Sequence, residues 1–332
     1  MVKGLFEAIG FRTSRISKRR SMKYLQSLRV KTRRLLSLCL RVKSADPLFN
    51  TNEELPSLEV FIPVVNKDFP TLPWVIESVL NYSRNPINKI FIITPNPEVL
   101  YELSKIPEVQ ILHESSFLDL DLFTIKAIYP EHYGWYLQQL IKLKSVSFSN
   151  SQYILWMDAD TVLNEYITFV SKGIVLERIS DEFHLPYFVG LSKVFGFQVP
   201  KFRFSRVAHH AIVVKEAFLA FQVNHKIQSE KDWLEVMKRT QDLQSKELGI
   251  SDWHIFGKSS FSEYELNSLI LAQYHIPRKK AYWWNESRNH LNFDNLGFIS
   301  HERGLFEKIS KKLRPKRPFS VSFHSWSRKI IP

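Results

Sequence analysis

Apolar residues along the chain follow two alternating patterns. Short continuous apolar runs, typical of buried strands, are separated by segments in which apolar side chains recur every three to four residues, as on one face of a helix. Strands are predicted at 58–65, 88–94, 108–112, 153–157, 186–191, 210–214, 280–285 and 319–323. Helices are predicted at 71–83, 97–105, 134–149, 215–223, 229–247 and 263–273.

The order of these elements predicts the fold class. Up to about residue 165, strands alternate with helices, which favours βαβ units, right-handed crossovers and a doubly wound, mostly parallel α/β sheet. Beyond residue 180 the alternation loosens, which indicates a mixed-sheet extension. We therefore predict one large domain at 58–326, with halves at 58–165 and 166–326, and a short tail at 327–332.

Charge is distributed unevenly along the chain, whose formal net charge is +13. Residues 1–45 hold 13 basic residues and one acidic residue, and residues 308–332 hold eight basic residues and no acidic one. The central part therefore carries a net charge of −7. Because the basic charge lies at the two ends, no nucleic-acid partner is expected for the body. A polar segment with two prolines, 46–57, is predicted as the linker that follows the basic leader.

The basic leader also has an apolar stripe. Leucine, valine and cysteine side chains at helical spacing in 23–42 are interleaved with Arg and Lys, a pattern that suits an anionic membrane surface. The alternatives are a solvated leader, a helix docked on the body, or contact of the leader with nucleic acid. The sequence has no apolar run of transmembrane length and no signal-peptide pattern. We expect a cytoplasmic protein, with attachment to a membrane surface through residues 1–45 as one alternative.

The strongest chemical signal is the motif Asp158-Ala-Asp160, directly after the apolar strand 153–157. Ligands of open α/β sheets gather at the carboxyl ends of strands. Two carboxylates there can hold Mg²⁺ or Mn²⁺ and leave room for phosphate oxygens. The alternative is a pair of turn-forming aspartates that caps the next element.

At this motif the chain resembles the GT-A glycosyltransferases, in which an Asp-x-Asp motif at a strand end holds a divalent metal on the diphosphate of a nucleotide sugar. Three further segments are similar to a family of glycosyltransferase-like proteins of bacteria and large viruses. They are Ile62-Pro-Val-Val-Asn-Lys-Asp68, Gly134-Trp-Tyr-Leu-Gln-Gln-Leu-Ile-Lys-Leu143 and Phe261-Ser-Glu-Tyr-Glu-Leu266. The resemblance implies a GT-A-like Rossmann-type fold, with the donor in the half 58–165 and the acceptor in the half 166–326.

The resemblance also implies a metal site and a donor site. Asp158, Asp160 and His324 would hold Mn²⁺ or Mg²⁺, although a lone histidine near a chain end is often a surface or core residue. Lys67 and Asp68 would face the base or ribose of the donor. Asp68 could instead be an acid that favours the start of the following helix.

Four other positions have more than one interpretation. Gln138 and Lys142, one helical turn apart, either reach the donor phosphates, fix the Asp-x-Asp loop or form a polar seam against the sheet. His209 and His210 either line the donor or acceptor cleft or simply begin a strand.

Glu263 is the candidate catalytic base. In Ser262-Glu-Tyr-Glu-Leu266, the resemblance to inverting enzymes places the base at Glu263. The alternative is a first-turn acid that complements the helix dipole. Ser262 and Glu265 fit a capping box, which gives Glu265 a structural role.

Together these features predict a metal-dependent transferase that moves a sugar from a nucleotide-sugar donor, with a UDP-sugar favoured, to a glycan, a lipid-linked acceptor or another hydroxyl. The alternatives are a nucleotidyl or phosphosugar transferase, and an inactive nucleotide-sugar-binding adaptor at a membrane.

Overall fold

The computed structural model describes residues 46–50, 53–129, 132–180, 184–198, 204–247, 260–283, 285 and 319–323. The leader 1–45, His324 and the tail 327–332 lie outside the described residues. The strands are β1 (Leu58–Pro63), β2 (Ile87–Thr94), β3 (Val109–His113), β4 (Tyr153–Met157), β5 (Thr161–Leu163), β6 (Val170–Ser171), β7 (Ile174–Ile179), β8 (His210–Val214), β9 (Arg278–Tyr282) and β10 (Ser320–Ser322). The α-helices are α1 (Leu72–Tyr82), α2 (Glu114–Phe117), α3 (Leu122–Ile128), α4 (Tyr133–Phe148), α5 (Leu185–Phe195), α6 (Lys215–Asn224), α7 (Glu230–Glu247) and α8 (Glu263–Gln273), with 3-10 segments at Asn66–Asp68 and Pro97–Lys105.

The central sheet has the strand order β3-β2-β1-β4-β8. The first four strands are parallel, and β8 runs antiparallel to β4. This confirms the predicted α/β class with a mixed, mostly parallel sheet. All residues of β1 and β4 are buried, which explains why both are almost entirely apolar rather than alternating, with Glu59 as the one charged residue of β1.

The strand order places a switch point between β1 and β4. From β1 the chain adds β2 and β3 on one side of the sheet and then returns to add β4 on the other side of β1. The two crossovers therefore leave β1 in opposite directions and open a crevice at the carboxyl ends of β1 and β4, where ligands bind in sheets of this kind. The Asp-x-Asp motif follows β4 at that crevice.

The second half adds two smaller sheets. One has the order β6-β7-β9, with β7 parallel to β9 and antiparallel to β6. The other pairs β5 with β10, so that Ser322 lies opposite Thr161. The backbone N–H of Phe323 then donates to the carbonyl of Asp160 at 2.8 Å. A late segment of the chain is thereby fastened to the Asp-x-Asp motif.

One predicted strand is wrong. The segment 186–191 forms part of helix α5, which begins with Pro186 in its first turn and ends at Gly196, where φ is +74°. A short apolar run does not by itself distinguish a buried strand from a buried helix, and the proline and glycine at its two ends fit a helix. Strands β5, β6 and β7 were not predicted, because two of them are very short and β7 contains the charged pair Glu177-Arg178.

The segment predicted as a linker is bonded to the body. Asp46 accepts hydrogen bonds from Arg84 Nε at 2.7 Å and from the backbone N–H of Thr168 at 2.8 Å. Glu53 accepts from the backbone N–H of Lys172 at 2.7 Å. Within the part of the chain that the structure describes, no helix combines the length and the apolar character needed to cross a membrane.

Candidate functional site

Two loops meet at the switch point. The loop after β4 carries Asp158-Ala159-Asp160, and the loop after β1 carries the 3-10 segment Asn66–Asp68. The hydroxyl of Thr71, a buried residue, lies 2.8 Å from the carbonyl of Asp68 and 3.0 Å from the carbonyl of Ala159. Thr71 thus shares its single hydroxyl hydrogen between the two loops and fixes one against the other.

Asp158, Asp160 and His209 form a cluster in which one ligand atom of each lies within 4.8 Å of the others. Nδ1 of His209 lies 2.7 Å from Oδ2 of Asp158. Two carboxylates and one imidazole are a donor set that suits Mn²⁺ and, through the carboxylates, Mg²⁺. Burial opposes ionisation of Asp158, but Lys142 and His209 outweigh it and hold its pKa well below the usual range. Asp158 is therefore ionised, as a carboxylate ligand of a cation must be.

His209 is bonded to Asp158 by its backbone as well. Its carbonyl accepts from the N–H of Asp158 at 2.9 Å, while its φ of +58° lies in the left-handed region. That conformation costs an L-residue roughly 1–2 kcal/mol, and such strain persists only where the surroundings enforce it. Here it places the imidazole beside the Asp158 carboxylate.

A buried lysine lies behind the cluster. Lys142, on α4, is 0% exposed, and its Nζ donates to Oδ1 of Asp158 at 2.6 Å, to Oε1 of Glu263 at 2.8 Å and to the hydroxyl of Tyr264 at 2.9 Å. An ammonium group has three N–H donors, so these partners use all of them. Burial lowers the pKa of Lys142, but the two carboxylates outweigh burial and raise it, so the side chain stays charged.

Oδ1 of Asp158 receives two further hydrogen bonds. The Tyr264 hydroxyl donates to it at 2.8 Å, and Gln138 Nε2 donates to it at 3.1 Å. Burial and the charges of Asp158 and Glu263 raise the pKa of Tyr264 well above its usual value, so its hydroxyl keeps the proton that it donates. Oδ1 of Asp158 is therefore held by the protein, while Oδ2 lies on the side of His209.

A cavity of about 250 Å³ adjoins this cluster. It lies at the end of β1, and α4 forms its other wall. The residues that line it include Pro63, Val64, Val65, Lys67, Asp68, Ile93, Glu114, Gly134, Trp135, Leu137, Gln138 and Ile141. Gln138 belongs to both features, because it lines the cavity and donates to Asp158. Complete small-molecule sites have roughly 300–1,000 Å³, so this cavity would hold part of a larger ligand.

The structure brings most of the predicted site residues together. Lys67, Asp68 and Gln138 line the cavity, and Asp158, Asp160 and His209 form the adjoining cluster. For Lys142, the geometry favours the interpretation in which it fixes the Asp-x-Asp loop, since its three donors are used within the protein.

Two predicted residues are placed differently. His210, the first residue of β8, is buried in the core, where its ring packs edge-on against Phe169 and Trp283. Burial, together with Arg178, lowers the pKa of His210 to about 3, so it is neutral. Glu263 is 4% exposed and bonded to Lys142 instead of lining an open cleft. His324 lies outside the described residues.

Sequence reasoning missed two residues of this site. Tyr264 was not singled out, because an aromatic residue in an apolar helix normally indicates core packing. The only sequence feature that pointed to Tyr264 was its place next to Glu263 in the segment Phe261–Leu266. Thr71 gave no signal at all, because its role depends on two carbonyls that only the folded chain brings to it.

Comparison with known proteins places this site within a family. The family model described as a family of unknown function, DUF6492, matches residues 66–302, which is more than half of the chain. The chain belongs to this family. The DUF6492 match includes Asp158, Asp160, His209 and Glu263, whereas the leader and residues 319–323 lie outside it.

No curated protein matches the chain. Among solved structures, 297 chains match. One of them, the apo form of mouse xyloside xylosyltransferase 1, is 10% identical, with a TM-score of 0.41, and the alignment covers 83% of this chain and 100% of that chain. A likeness of this extent carries no information about substrate or mechanism.

Proposed function

We propose that this member of the DUF6492 family is a metal-dependent glycosyltransferase that uses a nucleotide-sugar donor, with a UDP-sugar favoured. One observation carries the proposal: at the switch point of the sheet, the Asp158, Asp160 and His209 cluster adjoins a cavity lined by Lys67 and Asp68. A nucleotide sugar has two parts that match these two features, namely a nucleoside and a diphosphate.

The proposed division of roles follows from size and chemistry. The base or ribose of the donor would occupy the cavity near Lys67 and Asp68, which is too small for the whole donor. Asp158, Asp160 and His209 would hold Mn²⁺ or Mg²⁺. When bound, the cation would supply positive charge for the diphosphate oxygens and the departing nucleotide. His324 would add a ligand, because it follows Phe323, whose N–H donates to the Asp160 carbonyl.

Transfer would join the acceptor to the sugar in one displacement. The acceptor hydroxyl oxygen would form a bond to the anomeric carbon, the bond from that carbon to the diphosphate would break, and the hydroxyl proton would leave to a base. The sequence resemblance implies Glu263 as this base, whereas its bond to the buried Lys142 favours the positioning role that we infer for it below. We propose a glycan, a lipid-linked sugar or another hydroxyl compound as the acceptor, a cytoplasmic location, and contact with an anionic membrane through residues 1–45.

The proposal is tested by following nucleotide release from a panel of UDP- and GDP-sugars with Mn²⁺ or Mg²⁺, since slow hydrolysis needs no known acceptor. Asp158→Asn and Asp160→Asn should each lower metal-dependent release by about 100-fold or more, because each removes a charged ligand. The control is Asp119→Asn, which changes an exposed aspartate paired with Lys144 and should leave release unchanged.

Each other outcome contradicts the proposal in a distinct way. Full release in either motif variant removes the metal assignment. Transfer of a nucleotidyl or phosphosugar group would instead support the first alternative. Binding of donors without turnover of any of them would support the alternative of an inactive nucleotide-sugar-binding adaptor.

A further inference from the structure

We infer that Glu263 is a positioning residue that balances the charge of Lys142, and that it is not the base of the reaction. The inference rests on the proposed function, because it assigns Glu263 a role toward the cation at Asp158 and Asp160. Three observations carry it: the burial of Glu263, its bond to Lys142 and the sum of the charges around Asp158.

Burial is the first step. A general base must come within hydrogen-bond reach of the proton that it removes. Glu263 is 4% exposed, and its Oε1 accepts from Lys142 at 2.8 Å. Its backbone N–H also donates to Oε1 of Gln139 at 3.1 Å, which fastens the first turn of α8 to α4. Oε1 and the backbone N–H of Glu263 are thus both engaged with α4 in the interior.

The shared lysine is the second step. One Lys142 ammonium contacts both Asp158 and Glu263. If Glu263 were absent, the whole positive charge of Lys142 would act on Asp158, and Asp158 would attract a cation less strongly. A buried ammonium without a balancing carboxylate is also costly. Glu263 therefore allows Lys142 to hold Oδ1 of Asp158 without cancelling the charge of Asp158 toward a cation.

The charge sum is the third step. Asp158, Asp160 and Glu263 are each negative and Lys142 is positive, so the group as a whole matches the charge of a divalent cation. Glu263→Gln lowers this negative charge by one. Lys142→Met combined with Glu263→Gln restores it, since the positive and the negative partner leave together. Tyr264 and Gln138 still donate to Asp158 in that double variant.

The test measures Mn²⁺ affinity of the full chain without donor, by titration calorimetry or by the electron paramagnetic resonance signal of free Mn²⁺. We expect Glu263→Gln to raise the Kd for Mn²⁺ about tenfold, and the double variant to return it to within about threefold of the parent. The matched control is Glu265→Gln on the same helix, because Glu265 is buried on Ser205 and Arg206 and should leave the Kd unchanged.

Nucleotide release separates the two roles further. The double variant should keep release within about tenfold of the parent if charge balance is the role of Glu263. Loss of a base would instead lower this release, in which water is the acceptor and must also lose a proton, by about 10²–10⁴-fold in every variant without Glu263. An unchanged Mn²⁺ affinity in Glu263→Gln, with turnover lost, overturns the inference alone. A parent protein that binds no Mn²⁺ overturns the metal-dependent function and this inference together. If Glu263→Gln does not fold, the double variant Lys142→Met/Glu263→Gln still tests the inference. Loss of nucleotide release in that double variant would overturn it.

Discussion

His209 is held by its backbone and its side chain at once. The carbonyl of His209 accepts from the N–H of Asp158, and its imidazole contacts the carboxylate of the same residue. The positive φ of His209 is the conformational cost of that arrangement. The imidazole of His209 therefore contributes to the site, while its left-handed backbone conformation lowers the stability of the fold.

Substitution of His209 separates these two contributions. His209→Gly and His209→Ala both remove the imidazole, but only glycine adopts positive φ without steric strain. We expect the Gly variant to be the more stable by about 1 kcal/mol in the free energy of unfolding, measured with urea. An Ala variant of equal or greater stability would show that the backbone at 209 does not keep this conformation. Both variants should bind Mn²⁺ more weakly than the parent.

At the scale of elements, two glycines have opposite roles in helices α4 and α5. Gly196 ends α5 with φ of +74°, whereas Gly134 lies in the first turn of α4 and has no positive φ. A Cβ added at either position meets nothing within 4 Å. The same substitution at the two positions therefore tests backbone conformation without a steric clash.

Gly196→Ala should destabilise the protein by about 1 kcal/mol, because alanine is strained at positive φ. Gly134→Ala should stabilise it by about 0.5–1 kcal/mol, since alanine loses less backbone entropy in a helix. Thermal and urea unfolding of the two variants would measure both changes. Shifts of the same sign would contradict the helix end assigned at residue 196.

A buried ion-pair network joins β7, β9 and α8. Glu177 on β7 accepts from Arg206 Nε at 2.9 Å and lies 3.3 Å from Arg278 Nη1. Ser268 on α8 also donates to Glu177. Burial opposes ionisation of Glu177, but these donors outweigh burial and lower its pKa below the ordinary value of 4.5. The carboxylate thus contributes stability above about pH 4.5, which is lost as pH falls through the lower, folded-state pKa.

Glu177→Gln should therefore change stability in a pH-dependent way. At pH 7 the variant should lose about 3 kcal/mol, because one partner of a buried ion pair is removed. The difference between the two proteins should shrink below about pH 4, where the parent loses the same contribution. Urea unfolding at pH 7 and at pH 3 would measure it. A difference that stays constant over this range would mean that Glu177 is not ionised in the folded protein.

At the scale of the whole molecule, the basic charge lies at the two ends of the sequence and the acidic charge in its central part. The leader 1–45 joins the body at Asp46, which is bonded to Arg84 and to Thr168. The guanidinium of Arg84 also lies over the rings of Phe49 and Tyr166, at 4.0 and 4.6 Å from their centres. A deletion that stops at residue 45 leaves these contacts in place.

Deletion of residues 1–45 should abolish binding to anionic vesicles and leave nucleotide release intact. Each basic residue near such a surface contributes about 1 kcal/mol, and salt screens that attraction. Co-sedimentation with vesicles that contain phosphatidylserine, at low and high salt, would measure it. Deletion of residues 1–50 serves as the comparison with deletion of 1–45. It also removes Asp46 and Phe49 and should therefore lower the free energy of unfolding. Vesicle binding that survives the first deletion, or that ignores salt, would exclude the membrane role.

The sequence by itself determined the main sheet and the position of its strongest motif. Strands such as Leu58–Pro63 and Tyr153–Met157 are buried throughout, and a strand covered on both faces is apolar at nearly every position; the exception, Glu59 in β1, accepts hydrogen bonds from Ser149 and from the N–H of Asn150. The place of Asp158 and Asp160 at the end of β4 follows from the sequence for the same reason. Segment 186–191 could not be assigned this way, because both a buried strand and a buried helix can be apolar over six residues.

Only the tertiary structure decided which side chains surround Asp158. Its partners His209, Tyr264 and Lys142 lie 51, 106 and 16 residues away in the chain, and Glu263 lies 121 residues from Lys142. The antiparallel pairing of β4 with β8 sets Met157 opposite His210, and just beyond that pairing the N–H of Asp158 donates to the carbonyl of His209. Periodicity in a sequence reports which face of an element is buried. The contacts between elements depend on strand pairing and helix packing, which the periodicity of a single sequence does not show.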